Sequence, residues 1–271
     1  MHTDNPASRE STRRLLDAQY RESLAGVTQA MVAAACICPG QRVLDIGAGA
    51  GDTTLIAAER VGPNGHVLAI DASAEAMAGL AARLGALPGR LPVSVDTVAA
   101  ESLALEPQSF DVALARNSVM YFSDLSRALD NVRRALRVDG RLVASVYGPL
   151  EHEPFHAIPI AAVRRRCAMR EPYPDYVQAF RLGADDLERM LRVTGYGNVA
   201  RHVVPTTRSF PSLAAAIEAL RLSRSLGQLL SALPQDQRED AWLDMADGFR
   251  DHESESGLCI PGEQVVLVAT A

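Results

Sequence analysis

The stretch that decides the fold runs from Val43 to Asp52 and reads VLDIGAGAGD. A short apolar run ends in three glycines on alternating positions, Gly47, Gly49 and Gly51, and the residues behind them have the spacing of a helix. The pattern predicts a strand, a tight turn and a helix, so that the unpaired amides at the start of the helix point at a ligand held by the loop.

Two classes of ligand use this geometry. The dinucleotide motif GxGxxG places its amides against a pyrophosphate, whereas here the third glycine, Gly51, comes one position early and an acid, Asp45, lies within the end of the strand. A carboxylate aimed at the loop repels a pyrophosphate and attracts an ammonium group. The acid therefore favours a ligand with a positive end over NAD.

Length and composition limit the class of protein. The chain has 271 residues, 48% of them hydrophobic, and a formal charge of -6. These values suit one well-packed globular domain, or one domain with an appended lid, and argue against a nucleic-acid partner bound through a basic stripe. The cysteines lack CxxC spacing, so we expect buried thiols rather than a metal or redox site. They are Cys36, Cys38, Cys167 and Cys259.

The first residues, 1–14, are polar and lack the apolar core of a signal peptide, so we predict a flexible tail on a cytoplasmic protein. No uncharged apolar run reaches the length of about 18 residues that a transmembrane helix needs, and we expect no membrane partner. The oligomeric state stays open, with a homodimer as one option.

Strand and helix patterns alternate over the first half of the chain and predict an α/β fold. The expected architecture is Rossmann-like: a doubly wound, mostly parallel seven-stranded sheet with an antiparallel edge strand and helical lid insertions. Residues 149–183 break the rhythm with five prolines, and a helical pair over 211–258 precedes the last strand. We predict a single domain over 15–271, with these two segments as covers near the carboxyl edge of the sheet.

A second acid, Asp71, ends the second strand. It lies about 20 residues beyond the glycine loop, the distance at which an acid accepts the hydroxyls of an adenosine ribose. This feature does not separate NAD from other adenosyl ligands. The alternative is that Asp71 caps the next helix.

Four segments taken together resemble the class I S-adenosylmethionine-dependent methyltransferases. They are VLDIGAGAG, AIDAS, FDVALARNSVMYFSD and RALRVDGRLVASVYG. The likeness is strongest over 41–148 and nearest to the ubiquinone/menaquinone-biosynthesis-type (methyltransferase type 11-like) branch, which modifies small molecules. The resemblance implies S-adenosyl-L-methionine as cofactor and S-adenosyl-L-homocysteine as product.

The resemblance also implies cofactor contacts, residue by residue. The glycine loop passes close to the methionine part, Asp45 lies near its ammonium directly or through water, and Asp71 binds the ribose. For adenine the family usually has an acid in a pattern like GDAE, but this chain has VAAE, so the backbone of Ala100 or Glu101, or the Glu101 carboxylate, must replace it. The predicted cofactor-binding residues are Asp45, Gly47, Ala48, Gly49, Gly51, Asp71, Ala72, Ala99, Ala100, Glu101 and Arg116.

The end of the fourth strand is expected at the substrate mouth. A buried arginine needs a partner, and we favour a pocket role for Arg116 over an ion pair with the lid. Phe122 and Phe155 are either an aromatic wall or core, and Tyr20 either closes over the cofactor or packs on the core. The predicted substrate-pocket residues are Asn117, Tyr121, Tyr147 and Tyr20.

Two histidines in the first cover, His152 and His156, are the candidate catalytic residues. A hydroxyl or amine nucleophile must lose a proton, and a histidine that titrates near neutrality suits this role. The alternative is that both are solvated or capping groups of a proline-rich loop.

The sequence thus predicts methyl transfer from S-adenosylmethionine to an oxygen, nitrogen or carbon nucleophile of a small molecule in secondary metabolism. The alternative is an enzyme that binds the same cofactor for its positive charge and catalyses cyclisation or rearrangement without methyl transfer. The glycine spacing and Asp45 disfavour an NAD-dependent oxidoreductase, and the intact glycine loop argues against a non-catalytic binding protein.

Overall fold

The computed structural model describes residues 6–169 and 174–271, and the chain divides into two compact units. The sheet unit comprises Val27–Tyr147, Leu182–Val204 and Gln264–Ala271, and the helical unit comprises the described parts of Met1–Gly26, Gly148–Arg181 and Pro205–Glu263. Most of the first predicted cover and all of the second belong to the helical unit. Pro172 of the first cover lies outside the described residues. The single domain over 15–271 stays a prediction.

Eight strands of the described residues form one sheet. The strands are β1 (Arg42–Ile46), β2 (His66–Asp71), β3 (Val93–Thr97), β4 (Phe110–Arg116), β5 (Leu136–Tyr147), β6 (Gly197–Phe210), β7 (Glu253–Ser254) and β8 (Gly257–Thr270). Their order is β3-β2-β1-β4-β5-β8-β6, and the two-residue β7 pairs with β8. Strands β1 to β5 pair in parallel, and β8 runs antiparallel to β5. The predicted Rossmann-like fold is therefore confirmed, with the short β7 as an unpredicted addition.

Ten α-helices connect and follow these strands in the described residues. They are α1 (Pro6–Ala35), α2 (Asp52–Val61), α3 (Ala74–Gly85), α4 (Leu125–Ala135), α5 (Pro154–Arg164), α6 (Asp175–Gln178), α7 (Ala184–Val193), α8 (Leu213–Arg221), α9 (Arg224–Leu230) and α10 (Gln235–Phe249). Two helices in the sheet unit begin at side-chain caps: Ser73 Oγ accepts from Ala76 N at 3.2 Å, and Asp124 Oδ1 accepts from Arg127 N at 2.9 Å.

The central strands of the sheet unit are buried on both faces. In β4 the run Val112–Ala115 is almost fully excluded from solvent, as expected for a parallel strand with helices on either side. Two charged side chains lie at the carboxyl ends of these strands, because Asp71 is the last residue of β2 and Arg116 is the last residue of β4. The sheet therefore gathers its functional side chains at its carboxyl edge.

The helical unit has an apolar core of its own. Phe155, Tyr176, Phe210, Trp242 and Phe249 are among its buried members. The predicted helical pair over 211–258 is three helices, because Ser223 interrupts the run and its side chain accepts from Leu226 N at 3.4 Å, which starts α9.

The prediction of an N-terminal tail needs correction. Residues 1–5 lie outside the described residues, but from Pro6 the chain is helical where the sequence predicts a flexible tail through residue 14. A proline is favourable in the first turn of a helix, and the following residues are mostly good helix formers.

The expectation of buried cysteines is wrong for three of the four. Cys36, Cys38 and Cys259 are exposed, and Cys167 is half-buried. Cys36 and Cys38 lie in the turn after α1, where no helix covers them. Cys259 lies on β8 between the buried Leu258 and Ile260, so the strand alternation turns its thiol outward.

In the part of the chain that the structure describes, no helix combines the length and the apolar character that a membrane span requires.

We predict opposite effects on stability for two neighbouring glycines. Gly51 has φ +82°, and an added Cβ would lie 2.2 Å from Leu80 Cδ1, so Gly51→Ala should lower the free energy of unfolding by about 2–3 kcal/mol. Gly79, on the exposed side of α3, has open space around it, so Gly79→Ala should raise that free energy by about 0.5–1 kcal/mol. Urea unfolding of both variants checks this, and equal effects would contradict the described packing of the loop.

Candidate cofactor site

A cavity of about 370 Å³ lies in the sheet unit at the carboxyl ends of the parallel strands. It opens where Ile46 ends β1, Asp71 ends β2 and Asn117 follows β4. Its lining residues are Ile46, Gly47, Ile70, Asp71, Ala72, Val98, Ala99, Ala100, Glu101, Asn117, Ser118, Tyr121, Phe122 and Ser123. Eight of these are site residues predicted from the sequence, so one cavity brings them together.

The backbone at Gly47 needs a glycine for two independent reasons. Its φ is +68°, a region that residues with a side chain rarely adopt, and an added Cβ would lie 2.3 Å from Ser118 Cβ. Ser118 is fixed there because its hydroxyl donates to Ile46 O at 2.8 Å. The first glycine therefore lets the loop pass tightly between two strand ends.

The backbone N–H groups of the glycine loop already donate hydrogen bonds within the protein. Gly47 N and Ala48 N both donate to Ile70 O, at 2.8 and 3.0 Å, and Gly51 N donates to Ala48 O at 2.8 Å. Gly49 N donates to Asp71 Oδ2 at 3.0 Å. A pyrophosphate cradle needs these amides, so the structure supports the sequence argument against a dinucleotide.

The carboxylate of Asp71 links the loop to the end of β2. One oxygen accepts from Gly49 N, and the other accepts from Ser73 N at 2.9 Å. The cap of α3 is Ser73 rather than Asp71, so the alternative helix-capping role is not the one observed. Each carboxylate oxygen keeps a second acceptor position, and Asp71 lines the cavity.

Asp45 is buried beneath the loop rather than exposed in the cavity. It is 1% exposed, and its carboxylate accepts from Thr54 Oγ1 at 2.6 Å. Burial raises the pKa of Asp45 to about 6, against the lowering effects of the Thr54 hydrogen bond and the Arg116 charge. Asp45 is therefore not among the residues that line the described cavity, and its position near the cofactor ammonium, directly or through water, stays a prediction.

Arg116 makes an ion pair that the sequence did not predict. Its guanidinium donates to Thr28 Oγ1 at 2.8 Å and to Asp52 Oδ2 at 3.4 Å. Asp52, the first residue of α2, also accepts from Arg83 at 2.8 Å, and these two arginines hold its pKa below the usual range. The ion pair involves α2 rather than a lid, and Arg116 is absent from the residues that line the described cavity.

At the predicted adenine end of the site, Ala99 stands where the resembling family usually has an acid. Ala99 lines the cavity with a methyl group, and the carbonyls of Ala100 and Glu101 accept from Asn131 Nδ2 at 3.1 and 3.0 Å. The Glu101 carboxylate accepts from the backbone and hydroxyl of Ser123. These hydrogen bonds lower the pKa of Glu101 and keep it ionised.

Asn117 carries an unpaired donor beside the cavity. Its backbone has φ +50°, its Oδ1 accepts from Ser145 Oγ at 2.9 Å, and its Nδ2 is buried without a hydrogen-bond partner. Ser145 thus fixes the orientation of the amide, and strained backbone of this kind is frequent at functional sites. Asn117 therefore lines the cavity with a buried donor, and its role in the substrate pocket stays a prediction.

The three predicted tyrosines have different surroundings. Tyr121 is 47% exposed and lines the cavity. Tyr147, at the end of β5, is buried and absent from the residues that line the described cavity. Tyr20 belongs to the helical unit, where Arg208 lies 5.3 Å from its ring centroid. Of these three tyrosines, Tyr121 is the one that lines the described cavity.

Both candidate histidines belong to the helical unit, each beside a carboxylate. His156 is buried, with Nδ1 3.4 Å from Glu153 Oε2, and burial lowers its pKa to about 4. His152 is more than half exposed, with Nδ1 3.1 Å from Glu263 Oε1. A base of pKa about 4 is a poor proton acceptor at neutral pH, which argues against His156 as the catalytic base.

Sequence reasoning missed the partners that hold the site in place. They are Thr28, Asp52, Thr54, Ser118 and Asn131. Most of them form hydrogen bonds with residues that are tens of positions away in the sequence, so no local spacing predicts these contacts. Asp52 is the exception, because an acid in the first turn of the helix after the glycine loop is visible in the sequence and disfavours an anionic ligand.

These residues fit S-adenosylmethionine on observations of the cavity itself. The loop leaves open space at Gly49 and no room for a side chain at Gly47, the ribose-type acid Asp71 has free acceptor positions, and the Asn117 Nδ2 donor is unpaired. The buried acid Asp45 adds negative charge beneath the loop. A ligand with a ribose and a positive end matches this combination better than a pyrophosphate does.

Comparison with known proteins agrees with the geometry. A family model described as a methyltransferase domain matches residues 44–142. Nocamycin O-methyltransferase of Saccharothrix syringae is 41% identical over 104 residues, which are 38% of this chain and 37% of that protein. The methyltransferase YcgJ of Bacillus subtilis is 38% identical over 109 residues, 40% of this chain and 42% of that protein. The matches thus span less than half the length of these relatives.

Solved structures extend the likeness of fold over most of the chain. The crystal structure of Bacillus subtilis YcgJ has a TM-score of 0.58 at 19% identity and covers 90% of this chain and 97% of that one. Phosphoethanolamine N-methyltransferase 2 of Haemonchus contortus, in complex with S-adenosyl-L-methionine, has a TM-score of 0.56 at 18% identity. The alignment covers 90% of this chain and 51% of that one. The cofactor predicted from the sequence is that of the matched family. Over the matched residues 44–142 the comparisons confirm the predicted resemblance to the class I S-adenosylmethionine-dependent methyltransferases.

Proposed function

We propose that the protein transfers the methyl group of S-adenosylmethionine to an oxygen, nitrogen or carbon nucleophile of a small molecule. The observation that carries this proposal is the glycine loop tied to Asp71 at the wall of the cavity, with its amides occupied and an acid beneath it. Small-molecule acceptors are supported by the O-methyltransferase relative and by the absence of a basic stripe in a chain of net charge -6. A place in secondary metabolism and in the cytoplasm belongs to the same proposal.

In this proposal the residues of the cavity bind and orient the cofactor. Asp71 accepts the ribose hydroxyls, Gly47, Ala48 and Gly49 pass beside the methionine part, and Ala72, Ala99, Ala100 and Glu101 lie along the adenosine. Gly51 lets the loop turn into α2, and the Arg116–Asp52 pair keeps the start of that helix in place. Bound there, S-adenosylmethionine supplies an electrophilic methyl group on its sulfonium.

The remaining tasks of the protein are to align the nucleophile and to accept its proton. Asn117 and Tyr121 are the proposed acceptor contacts, with the Asn117 Nδ2 donor held by Ser145. Of the two histidines, His152 is the proposed base, because Glu263 at Nδ1 favours the tautomer that leaves Nε2 free to accept a proton. Tyr20 and Tyr147 remain proposed pocket residues without a described contact to the cavity.

The proposal is tested by product formation. Incubation with S-adenosylmethionine and a panel of small hydroxyl, amine and carbon-acid acceptors should release S-adenosylhomocysteine together with a product one methyl group heavier, as measured by mass spectrometry. Product of unchanged mass without S-adenosylhomocysteine would reject methyl transfer and support the cyclase or rearrangement alternative. Stabilisation against heat by NAD alone would reject both.

We predict that Asp71→Asn weakens binding of S-adenosylhomocysteine ten- to a hundredfold. The variant loses the charge of the acceptor, and hydrogen bonds to charged groups contribute about 1.5–3 kcal/mol. Asp96→Asn is the matched control, because Asp96 is exposed on the adjacent β3 and does not line the described cavity. Calorimetry measures both affinities, and an unchanged affinity for Asp71→Asn would contradict the ribose role.

The raised pKa of Asp45 predicts a pH dependence of cofactor binding. Above pH 6 the buried carboxylate is charged and attracts the ammonium of the ligand, whereas below pH 6 it is protonated and neutral. Affinity for S-adenosylhomocysteine should therefore fall about tenfold between pH 7 and pH 5. Asp45→Asn, neutral throughout, should remove most of this change. A wild-type affinity that stays constant over this range would disprove an electrostatic role for Asp45.

For any acceptor found, we predict that His152→Asn lowers kcat by about a hundredfold or more, since general base catalysis contributes roughly 10²–10⁴. The affinity for S-adenosylhomocysteine should not change. Glu263→Gln should reduce kcat in the same direction, because it weakens the orientation of the same ring. A kcat that stays at the wild-type level in His152→Asn would assign the proton transfer to another group.

A further inference from the structure

The cofactor cavity of the sheet unit has two ends that differ in polarity. Asp71 marks the ribose end, and β3 lies beside β2 on the side away from the glycine loop, because the strand order is β3-β2-β1. The residues directly after β3, Val98, Ala99 and Ala100, line the cavity on that side. With the ribose on Asp71 and the methionine part beside the loop, as the proposed function has it, the base of the cofactor lies against these three residues.

Apolar side chains form the wall at this base end. Val98, Ala99 and Ala100 carry aliphatic groups, and Phe122 lines the same cavity. Ala99 is half-buried, so its methyl group keeps surface that a ligand can contact, whereas Ala100 is 4% exposed. A purine ring placed against this wall is therefore stabilised by apolar contact.

The backbone carbonyls of the wall already accept hydrogen bonds within the protein. Ala99 O accepts from Ser102 N at 2.9 Å. Ala100 O and Glu101 O accept from Asn131 Nδ2 at 3.1 and 3.0 Å. Asn131 belongs to α4 and is absent from the residues that line the described cavity. These carbonyl groups therefore hold the turn after β3 against α4.

Two carboxylates line the described cavity, and each has another task. Asp71 is the proposed acceptor of the ribose hydroxyls. One oxygen of Glu101 accepts from the backbone and hydroxyl of Ser123 and from Asp124 N at 3.3 Å. These three hydrogen bonds orient the Glu101 carboxylate toward the segment before α4 rather than toward the base.

The exocyclic amino group of adenine is sensitive to this polarity, because it is a hydrogen-bond donor at the edge of the ring. A site that accepts a hydrogen bond from such a donor rejects an analogue without it, since the buried acceptor is then left unpaired. An aliphatic wall leaves no buried acceptor behind, so it distinguishes the two bases weakly. The polarity of the wall therefore decides how strictly the base is recognised.

We propose that Val98, Ala99 and Ala100 bind the base of the cofactor by apolar contact, so that the site accepts S-adenosyl cofactors whose exocyclic amino group is removed or replaced. Ala99 is then a specificity-determining position, because a carboxylate placed there would face the base. The inference rests on the proposed function, since it places S-adenosylmethionine in this cavity with its ribose on Asp71.

The first test compares two ligands that differ only in the exocyclic amine. The wild-type protein is titrated in a calorimeter with S-adenosylhomocysteine and with its analogue that carries purine in place of adenine. The two affinities should lie within about fivefold of each other. A larger preference for S-adenosylhomocysteine, such as a charged acceptor produces, would overturn the inference without any variant.

The second test places a charged acceptor in the wall. Ala99→Asp should bind S-adenosylhomocysteine about tenfold or more tightly than the purine analogue, because a charge-assisted hydrogen bond forms with the amine. Ala99→Asn, which supplies a neutral acceptor, should show a smaller preference. An affinity ratio in Ala99→Asp equal to that of the wild type would place the base elsewhere and contradict the proposal.

Ala104→Asp is the matched control for the added charge. Ala104 is exposed on the same connecting segment and does not line the described cavity. Its affinity ratio for the two ligands should equal that of the wild type. A preference in Ala104→Asp as large as that in Ala99→Asp would show that the charge acts at long range, and would remove the assignment of Ala99.

Two outcomes separate this inference from the proposed function. If the wild-type protein binds neither ligand at millimolar concentration, the cofactor role of the cavity is refuted, and the inference with it. If it binds S-adenosylhomocysteine and rejects the purine analogue, the cofactor role stands and apolar recognition of the base is refuted. Loss of that preference in Glu101→Gln would then assign the amine to the Glu101 carboxylate.

Discussion

The site depends on one hydrogen bond, from the amide of Gly49 to the carboxylate of Asp71 at 3.0 Å. It joins the glycine loop after β1 to the end of β2, and it consumes the amide that a phosphate ligand would need. The same carboxylate accepts from Ser73 N and so also fixes the start of α3. An acid that holds the loop and still faces the cavity gives the site a negative rim, which selects a ligand with hydroxyl donors and positive charge.

Around this hydrogen bond, a hydrogen bond and two ion pairs stabilise two further acids, Asp45 and Asp52. Asp45 is buried beneath the loop and is held by Thr54, while Asp52 lies at the start of α2 between Arg83 and Arg116. Asp45 is destabilised in its charged form, which raises its pKa, whereas the two arginines stabilise the charge of Asp52. The difference between these neighbouring acids comes from burial and pairing rather than from residue type.

The sequence predicts those parts of the molecule that depend on local pattern. Alternating strands and helices, the early third glycine and the acid after β2 are visible within a few residues of one another, and the fold and family derived from them are confirmed. Long-range partners are not visible in this way. The burial of Asp45 and the Arg116–Asp52 pair depend on side chains brought together by the fold. Helix formation from Pro6 overrides a polar composition that indicates a tail.

A crystal structure of the protein with S-adenosylhomocysteine tests the central claim most directly. The account predicts the ribose hydroxyls within hydrogen-bond distance of the Asp71 carboxylate and the homocysteine part beside Gly47 and Gly49, in the cavity at the carboxyl edge of the sheet. A ribose bound away from Asp71, or a ligand outside this cavity, would contradict it.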